Sequence, residues 1–163
     1  SEELTQHHSL NNVWTMWAHL PHDTDWTTNS YKEVYNMNSV EEVIALSESL
    51  PEVLVVNCML FIMKKGIIPV WEDPNNRNGG CFSYKIPNKS VYSIWKDLTY
   101  SLVGRSLSSN SDFVNNIQIS FSYWHTKSEV YIQHIQSNNE RYNNILAPSL
   151  LCVFFLGSSP FSF

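Results

Sequence analysis

Charged residues are scarce in this 163-residue chain, and its apolar runs are short. Asp, Glu, Lys and Arg together make up 15% of the residues, and the formal net charge is −5. A chain of this charge lacks the basic footprint that sequence-independent binding to a nucleic-acid backbone needs. A pocket that binds one cationic or planar group remains compatible with it. No apolar run approaches the length of a membrane span, and we recognise no signal peptide, so no membrane partner is expected.

Cysteine is also rare. The three cysteines, Cys58, Cys81 and Cys152, are an odd number and show no CxxC spacing. This pattern argues against a disulfide framework and against a zinc site, and it favours a reducing compartment. We therefore predict a cytoplasmic protein with no metal and no other cofactor, in the host cytoplasm if the chain is viral. Abundant Asn, Ser, Ile and Tyr suggest an AT-rich genome, such as that of a parasite or a large DNA virus.

Length and composition predict one globular domain, because 43% of the residues are hydrophobic and the chain is long enough to bury a core. We expect a flexible N-terminal segment over 1–8, a single domain over 9–157 and a C-terminal tail over 158–163. The polar first residues and the absence of an initial Met suggest a trimmed chain or a fragment. A monomer is the default expectation.

Hydrophobic patterning predicts an α+β fold with many antiparallel strands and a few helices. The helix at 39–50 carries a capping box, in which Ser39 and Glu42 satisfy free backbone donors, and Pro51 stops it. A second helix covers 90–104 with Gly104 as its C-cap. The stretch WEDPNNRNGG (71–80) is interpreted as a hairpin-type connection between strands. The predicted strands cover 13–20, 31–37, 53–63, 67–71, 81–86, 116–124, 129–135 and 150–156, and a short third helix covers 137–146.

The residues Trp71 and Glu72 place an aromatic plate beside an acid at the start of that connection. Two opposing Trp faces can sandwich a planar cation, and a neighbouring carboxylate can accept two N–H bonds from a guanine-like edge. Trp26, which lies in a polar loop, is the candidate for the second plate. From spacing alone, the alternative is that one of these two Trp residues lies at a rim and the other in the core.

Four segments occur in the order found in a known family. HSLNNVWTMW (8–17), SVEEVIAL (39–46), KKGIIPVWEDPNNRNGG (64–80) and IWKDLTYSLVG (94–104) together resemble the cap-binding translation initiation factor 4E family. The resemblance runs roughly from His8 to Phe155, and GIxPxWEDxxNxxGG is its specific part. It implies a curved antiparallel sheet with helices packed on its convex face and a pocket for the 7-methylguanosine cap of mRNA on its concave face.

The resemblance also implies roles for individual residues. Trp26 and Trp71 would stack the methylated base, and Glu72 would bind the guanine edge. Methylation at N7 gives the base a positive charge, which strengthens both interactions. Lys127 is the clear cation near the expected triphosphate site. Trp124 has two open interpretations: an extra stacking surface for the first transcribed nucleotide, or a strand residue packed under a loop.

Several positions depart from the family pattern around the cap. Cys81 stands where the family has an Arg, Ser122 lies near another expected Arg, and Gln133 falls near the third pocket Trp. Arg77 is interpreted as a solvated turn charge rather than a phosphate ligand. We therefore expect guanine recognition to be kept and triphosphate recognition to be altered.

The convex face departs as well. Family members bind there a helix with a Tyr and a Leu from initiation factor 4G or its competitors. Ile44 replaces a Trp, Lys96 and Tyr100 replace leucines, Ser9 replaces a Pro, and Arg105 replaces an acid. We therefore expect a scaffold of the 4G type with a non-standard motif. The matching partner-binding positions are His8, Ser9, Val40, Ile44, Lys96, Tyr100, Val103 and Gly104.

Three other interpretations were weighed. An enzyme is disfavoured, because no GxSxG, HExxH or P-loop is present and no catalytic residue is identified. A carbohydrate-binding module also uses Trp platforms, but it has no use for a methylated purine. A cap-binding repressor, which occupies 5′ ends without recruiting ribosomes, fits the altered convex face.

Overall fold

The computed structural model describes residues 7–77, 79–107, 112, 114–121 and 127–135. Over these ranges the chain alternates strands with helices, and a 3-10 turn at Thr28–Ser30 precedes the second strand. The strands are β1 (Ser9–His19), β2 (Tyr31–Ser39), β3 (Met59–Lys64), β4 (Gly79–Pro87), β5 (Val114–Phe121) and β6 (Lys127–Ile135). The helices are α1 (Val40–Ser49), α2 (Glu52–Asn57), α3 (Pro74–Arg77) and α4 (Asn88–Val103).

The strands form one open sheet in the order β2-β1-β3-β5-β6-β4. Every described pair is antiparallel, from Trp14 opposite Lys64 in the β1–β3 pair to Cys81 opposite Gln133 in the β4–β6 pair. Register shifts interrupt the β1–β2 and β5–β6 pairs, and such irregularities bend a sheet. The predicted α+β class with an antiparallel sheet is confirmed.

Alternation along β1 and β3 gives the sheet two different faces. Trp14 and Met16 of β1 pack under the helices, in a core that includes Val43 of α1 and Trp95 of α4. The side chains of the residues between them point to the other face of the sheet, because side chains alternate along a strand. There a smaller apolar cluster forms without helix residues, and we call it the open-face cluster. Its members are Tyr31, Phe61, Met63 and Ile67, with Trp17, Met59 and Val70 packed against them.

The two predicted long helices are confirmed. At the start of α1, the Glu42 amide donates to Ser39 Oγ at 3.3 Å and the Ser39 amide donates to Glu42 Oε2 at 3.1 Å, so the capping box forms. Helix α4 ends at Gly104, whose amide donates to the Tyr100 carbonyl oxygen at 2.9 Å. A Cβ at Gly104 would lie 2.9 Å from that oxygen, which explains why glycine suits the position.

The predicted strand over 53–63 is wrong in its first half. Residues 52–57 form α2, which begins after Pro51, and the strand starts only at Met59. Pro51 suits a helix start because it has no amide hydrogen to leave unpaired. Val55 is buried in the core, whereas Val53 is 63% exposed. The apolar run therefore belongs to a helix with one buried side and not to a strand that is buried on both faces.

The predicted strand over 67–71 is also wrong, and so is the hairpin-type connection after it. Residues 67–73 form turns, and β4 pairs with β6 rather than with the strand that precedes the loop. The physical reason lies in two side chains. Asp73 accepts from the Ile68 amide and Asn76 donates to the Ile68 and Val70 carbonyl oxygens, which replaces the pairing of a strand.

The remaining predictions divide into three groups. The strands at 31–37 and 81–86 are confirmed, and the strands predicted at 116–124 and 129–135 correspond to the antiparallel pair β5 and β6, with 122–124 outside the described residues. The predicted helix at 137–146 and strand at 150–156 lie outside the described residues. The domain limits stay a prediction, although His8, placed within the flexible segment, is held by Glu41 of α1 through its amide at 3.1 Å.

Candidate functional site

The loop that carries Trp71 and Glu72 is braced from inside by two polar side chains. The buried Asp73 carboxylate accepts from the Ile68 amide at 2.9 Å and from the Asn75 amide at 2.8 Å. The Asn76 side-chain amide, also buried, donates to the carbonyl oxygens of Ile68 and Val70, both at 2.8 Å. Of the two adjacent acids, Asp73 therefore has a structural role, and exposed Glu72 is the one available to a ligand.

Arg77 closes the same loop at its other end. Its Nη2 donates to the Glu72 carbonyl oxygen at 2.9 Å. Arg77 is exposed, as expected of a solvated turn charge, and its guanidinium also holds the backbone of the residue proposed to bind the base. This hydrogen bond is made to the Glu72 backbone and not to its side-chain carboxylate.

Trp26 lies on the open face of the sheet, over the end of β1. Its indole stacks on the imidazole of His19, with ring centroids 4.3 Å apart and planes 3° apart. His19 is 2% exposed, whereas Trp26 is 53% exposed. A flat ring with one face covered and half its surface exposed has its other face open to solvent.

Tyr31 connects Trp26 with Glu72. It meets the edge of His19 at a centroid distance of 5.1 Å and that of Phe61 at 5.6 Å. Burial raises the pKa of Tyr31, and the negative charge of Glu72 raises it further. The charge of Glu72 thus acts on Tyr31, whose ring contacts the imidazole that lies under Trp26.

The other predicted cap residues are less fully described. Trp71, which is half-buried, directly precedes Glu72 on the braced loop. Lys127 begins β6, where its backbone pairs with Pro87. Trp124 and Ser122 lie outside the described residues. The positions that replace family residues, Cys81 and Gln133, face each other in register in the β4–β6 pair.

A cavity of about 610 Å³ lies beside the Trp26 stack, between the loop after β1 and helix α2. His19 and Trp26 both line it, together with Val53, Leu54 and Cys58. Burial raises the pKa of the Cys58 thiol, so this side of the cavity is uncharged at neutral pH.

The predicted partner-binding residues lie on the helix side of the molecule. Val40 and Ile44 of α1 are exposed, while Val103 near the end of α4 is 8% exposed and belongs to the core. Lys96 and Tyr100 project from α4 towards α1, where Glu48 accepts from Lys96 Nζ at 3.1 Å and from the Tyr100 hydroxyl at 3.0 Å. The hydrogen bonds from Lys96 and Tyr100 lower the pKa of Glu48.

His8 is fixed at the edge of the same surface. Its Nδ1 donates to Glu41 Oε1 at 2.6 Å, and its amide donates to the same carboxylate. These bonds, led by that from the ring, hold the pKa of Glu41 at about 2. The resemblance pointed to His8 as a partner-binding position but did not reveal its bond to Glu41.

Sequence reasoning missed four residues that shape these sites: His19, Tyr31, Glu41 and Glu48. Period-two alternation in VWTMWAH places Trp17 and His19 on one face of β1, and that signal could have singled out His19. Glu48 needs the approach of α1 to α4, which no local pattern shows. Across the described ranges, no group of three or more His, Cys, Asp or Glu is placed to hold a metal ion. In the same ranges, no helix is both long enough and apolar enough to cross a membrane.

Comparison with known proteins gives a consistent result. A family model described as eukaryotic initiation factor 4E matches residues 9–151. The sequence is 43% identical over 63 residues to a translation initiation factor 4E homolog of Acanthamoeba polyphaga mimivirus, covering 37% of this chain and 23% of that protein. It is 30% identical over 115 residues to isoform 4E of Capsicum annuum, covering 67% of this chain and 57% of that protein. The chain thus spans less than two thirds of these curated relatives.

Solved structures share the fold. Initiation factor 4E-3 of Ascaris suum in complex with an m7G cap superposes with a TM-score of 0.72 at 19% identity, covering 82% of this chain and 76% of that chain. The 4E-3 protein of C. elegans, with the 4E-binding protein Mextli and a cap analog, gives 0.71 at 21% identity, covering 79% and 75%. Because the family model matches most of the sequence, the chain belongs to the eukaryotic initiation factor 4E family.

Proposed function

We propose that this protein binds the 7-methylguanosine cap of mRNA and acts in translation initiation as a binding protein without catalytic activity. The proposal is supported by the series of ring contacts from Trp26 through His19 to Tyr31, whose pKa is raised in part by the charge of Glu72. The family supplies the ligand class, since the related Ascaris suum protein is described in complex with an m7G cap.

In this proposal Trp26 and Trp71 stack the base, and Glu72 accepts its N–H groups. The methylated base is a cation, so it gains from both the indole faces and the carboxylate. Asp73 and Asn76 hold the loop that presents Trp71 and Glu72, and Arg77 anchors the Glu72 carbonyl group. Lys127 and Trp124 complete the proposed site, as a phosphate-binding cation and a surface for the first transcribed nucleotide.

Binding to immobilised 7-methyl-GTP tests this function. Parent protein should be retained and should be released by free 7-methyl-GTP but not by equal GTP or by oligosaccharides. Glu72→Gln should weaken retention, because an amide cannot accept both N–H bonds. Glu52→Gln, on exposed α2, removes a carboxylate elsewhere and serves as the control. Release by oligosaccharides instead would point to the carbohydrate-binding alternative.

A partner surface on the helix side forms the second part of the proposal. The C. elegans relative is described with a 4E-binding protein, and Val40 and Ile44 are exposed in the corresponding region here. Glu48 already bonds both Lys96 and Tyr100, so a partner helix meets a polar cluster beside an apolar strip. We expect a scaffold of the initiation factor 4G type with a rewired motif. A pull-down with a 4G-type scaffold distinguishes an activator, which retains it, from a repressor, which does not.

A further inference from the structure

One face of the Trp26 indole is covered by the ring of His19, which the proposed cap site described above does not use. His19 lies under the indole at a centroid distance of 4.3 Å with the planes 3° apart, which is face-to-face stacking. The imidazole is 2% exposed and the indole 53% exposed. The two rings therefore form a stacked pair in which the imidazole is buried and the indole has one face open to solvent.

His19 is held in this orientation by contacts on its edge. Its Nε2 lies 2.9 Å from the Asp25 carbonyl oxygen. A carbonyl oxygen can only accept, so Nε2 carries the hydrogen and the neutral ring keeps Nδ1 without one. Tyr31 packs against the ring at 63°, which blocks rotation of the imidazole.

The same hydrogen bond also positions the loop. Asp25 directly precedes Trp26, so the bond from His19 ties the backbone at the indole to β1. The loop is stiffened by its own turns, because the Asp25 amide donates to Asp23 Oδ1 at 2.9 Å and the Thr27 amide donates to Asp25 Oδ1 at 2.8 Å. His19 thus controls both the plane of the indole and the place where it leaves the loop.

We propose that His19 is a positioning residue for cap recognition, whose imidazole supports Trp26 from behind while the open face of the indole receives the methylated base. The inference rests on the proposed function and extends it to a stack of imidazole, indole and base.

Asp25 and Tyr31 face the His19 ring, and His22, Asp23 and Cys58 line the adjoining cavity. His22 is the other imidazole there, and its φ of 68° makes His22→Asn a suitable control that should bind as the parent does.

The experiment compares two substitutions at His19 that each keep one of its interactions. His19→Phe keeps the aromatic plate and loses the hydrogen bond to Asp25, while His19→Gln keeps a donor and loses the plate. At about pH 7.5, His19→Gln should weaken 7-methyl-GTP binding by about two- to tenfold relative to His19→Phe, the range expected of an aromatic pair. In a Trp26→Ala background the two substitutions should give equal affinities, because no indole is left to support.

A merely structural role of His19 would instead leave the difference between the two substitutions unchanged in the Trp26→Ala background. Unfolding curves confirm that each variant is folded at the binding temperature.

The possible outcomes separate the two proposals. Equal affinities of parent, His19→Phe and His19→Gln, or a difference between the two substitutions that persists in the Trp26→Ala background, would overturn the role of His19 while leaving cap binding intact. If the parent itself bound GTP as well as 7-methyl-GTP at neutral pH, the proposed function would fail first, and the positioning role would fail with it.

Discussion

The carboxylate of Asp73 accepts a hydrogen bond from the Ile68 amide at 2.9 Å and so closes the loop that presents Trp71 and Glu72. The bond spans five residues and is partly buried, and the Asn75 amide shares the same carboxylate. An acid that looks like half of a catalytic or binding pair in the sequence is thus the internal brace of the loop. The adjacent Glu72 remains exposed to a ligand.

Asp73→Asn should loosen this loop without unfolding the domain. One amide group cannot replace both carboxylate oxygens as acceptors, so a partly buried backbone hydrogen bond of the loop is lost at a cost of about 1–2 kcal/mol. We expect a lower free energy of unfolding and weaker 7-methyl-GTP binding, measured by urea denaturation and by titration. Asp97→Asn, on the exposed side of α4, is the control and should change neither. Parent-like behaviour of Asp73→Asn in both measurements would refute the bracing role.

Asn76→Asp provides a second test of the brace. The asparagine amide donates to two carbonyl oxygens, and a carboxylate there would face them with no hydrogen to donate. We expect a loss of stability of about 1–3 kcal/mol and a larger loss of cap affinity than for Asn11→Asp, on the exposed start of β1. Equal effects of the two substitutions would show that the carbonyl contacts do not matter.

Partner selection should follow the polar cluster on the helices. Glu48 joins Lys96 and Tyr100, and Ile44 stands where the family has a Trp. A standard 4G-type helical peptide should bind the parent weakly, because a central aromatic anchor alone is commonly worth about 2 kcal/mol or more, roughly 30-fold in affinity. The combined substitution Ile44→Trp, Lys96→Leu and Tyr100→Leu should restore binding, measured by calorimetry. If the peptide bound the parent as tightly as this variant, the expectation of a non-standard motif would be wrong.

The hydrogen bonds that attach His8 to α1 should be lost at acid pH. The folded-state pKa of Glu41, about 2, lies below its ordinary value of 4.5, mainly because the His8 ring donates to it. A lowered pKa stabilises the fold above about pH 4.5, and that contribution is lost as the pH falls through about 2. The amide resonance of His8 should shift as the pH falls from 4.5 to about 2 and the Glu41 carboxylate is protonated. In Glu41→Gln this shift should be absent, and its persistence would contradict the assignment.

The parts of the fold that the sequence predicts are those specified locally. The capping box of Ser39 and Glu42 and the glycine after α4 act through neighbours a few residues away, so both helices were predicted with nearly correct ends. The apolar runs at 53–57 and 67–71 mislead because their state is decided elsewhere: by Pro51 at the start of α2, and by the side chains of Asp73 and Asn76.

The residues of the candidate site also divide into those that the sequence reveals and those that depend on distant contacts. Resemblance to a family picked out Trp26, Trp71 and Glu72, but neither spacing nor family showed that Trp26 rests on His19 or that Tyr31 lies near Glu72. These relationships depend on the open-face cluster, which forms only when β1, β2 and β3 pair in register.

Tryptophan fluorescence during titration tests the central proposal most directly. 7-Methyl-GTP and, separately, GTP would be added to the parent and to Trp71→Ala. We predict strong quenching of the parent by the methylated nucleotide, little by GTP, and loss of the methyl-selective response in Trp71→Ala, since stacking contributes about 1–3 kcal/mol per base. An equal response of the parent to both nucleotides, or none to either, would contradict the account: the fold would persist while the cap site had been lost or repurposed.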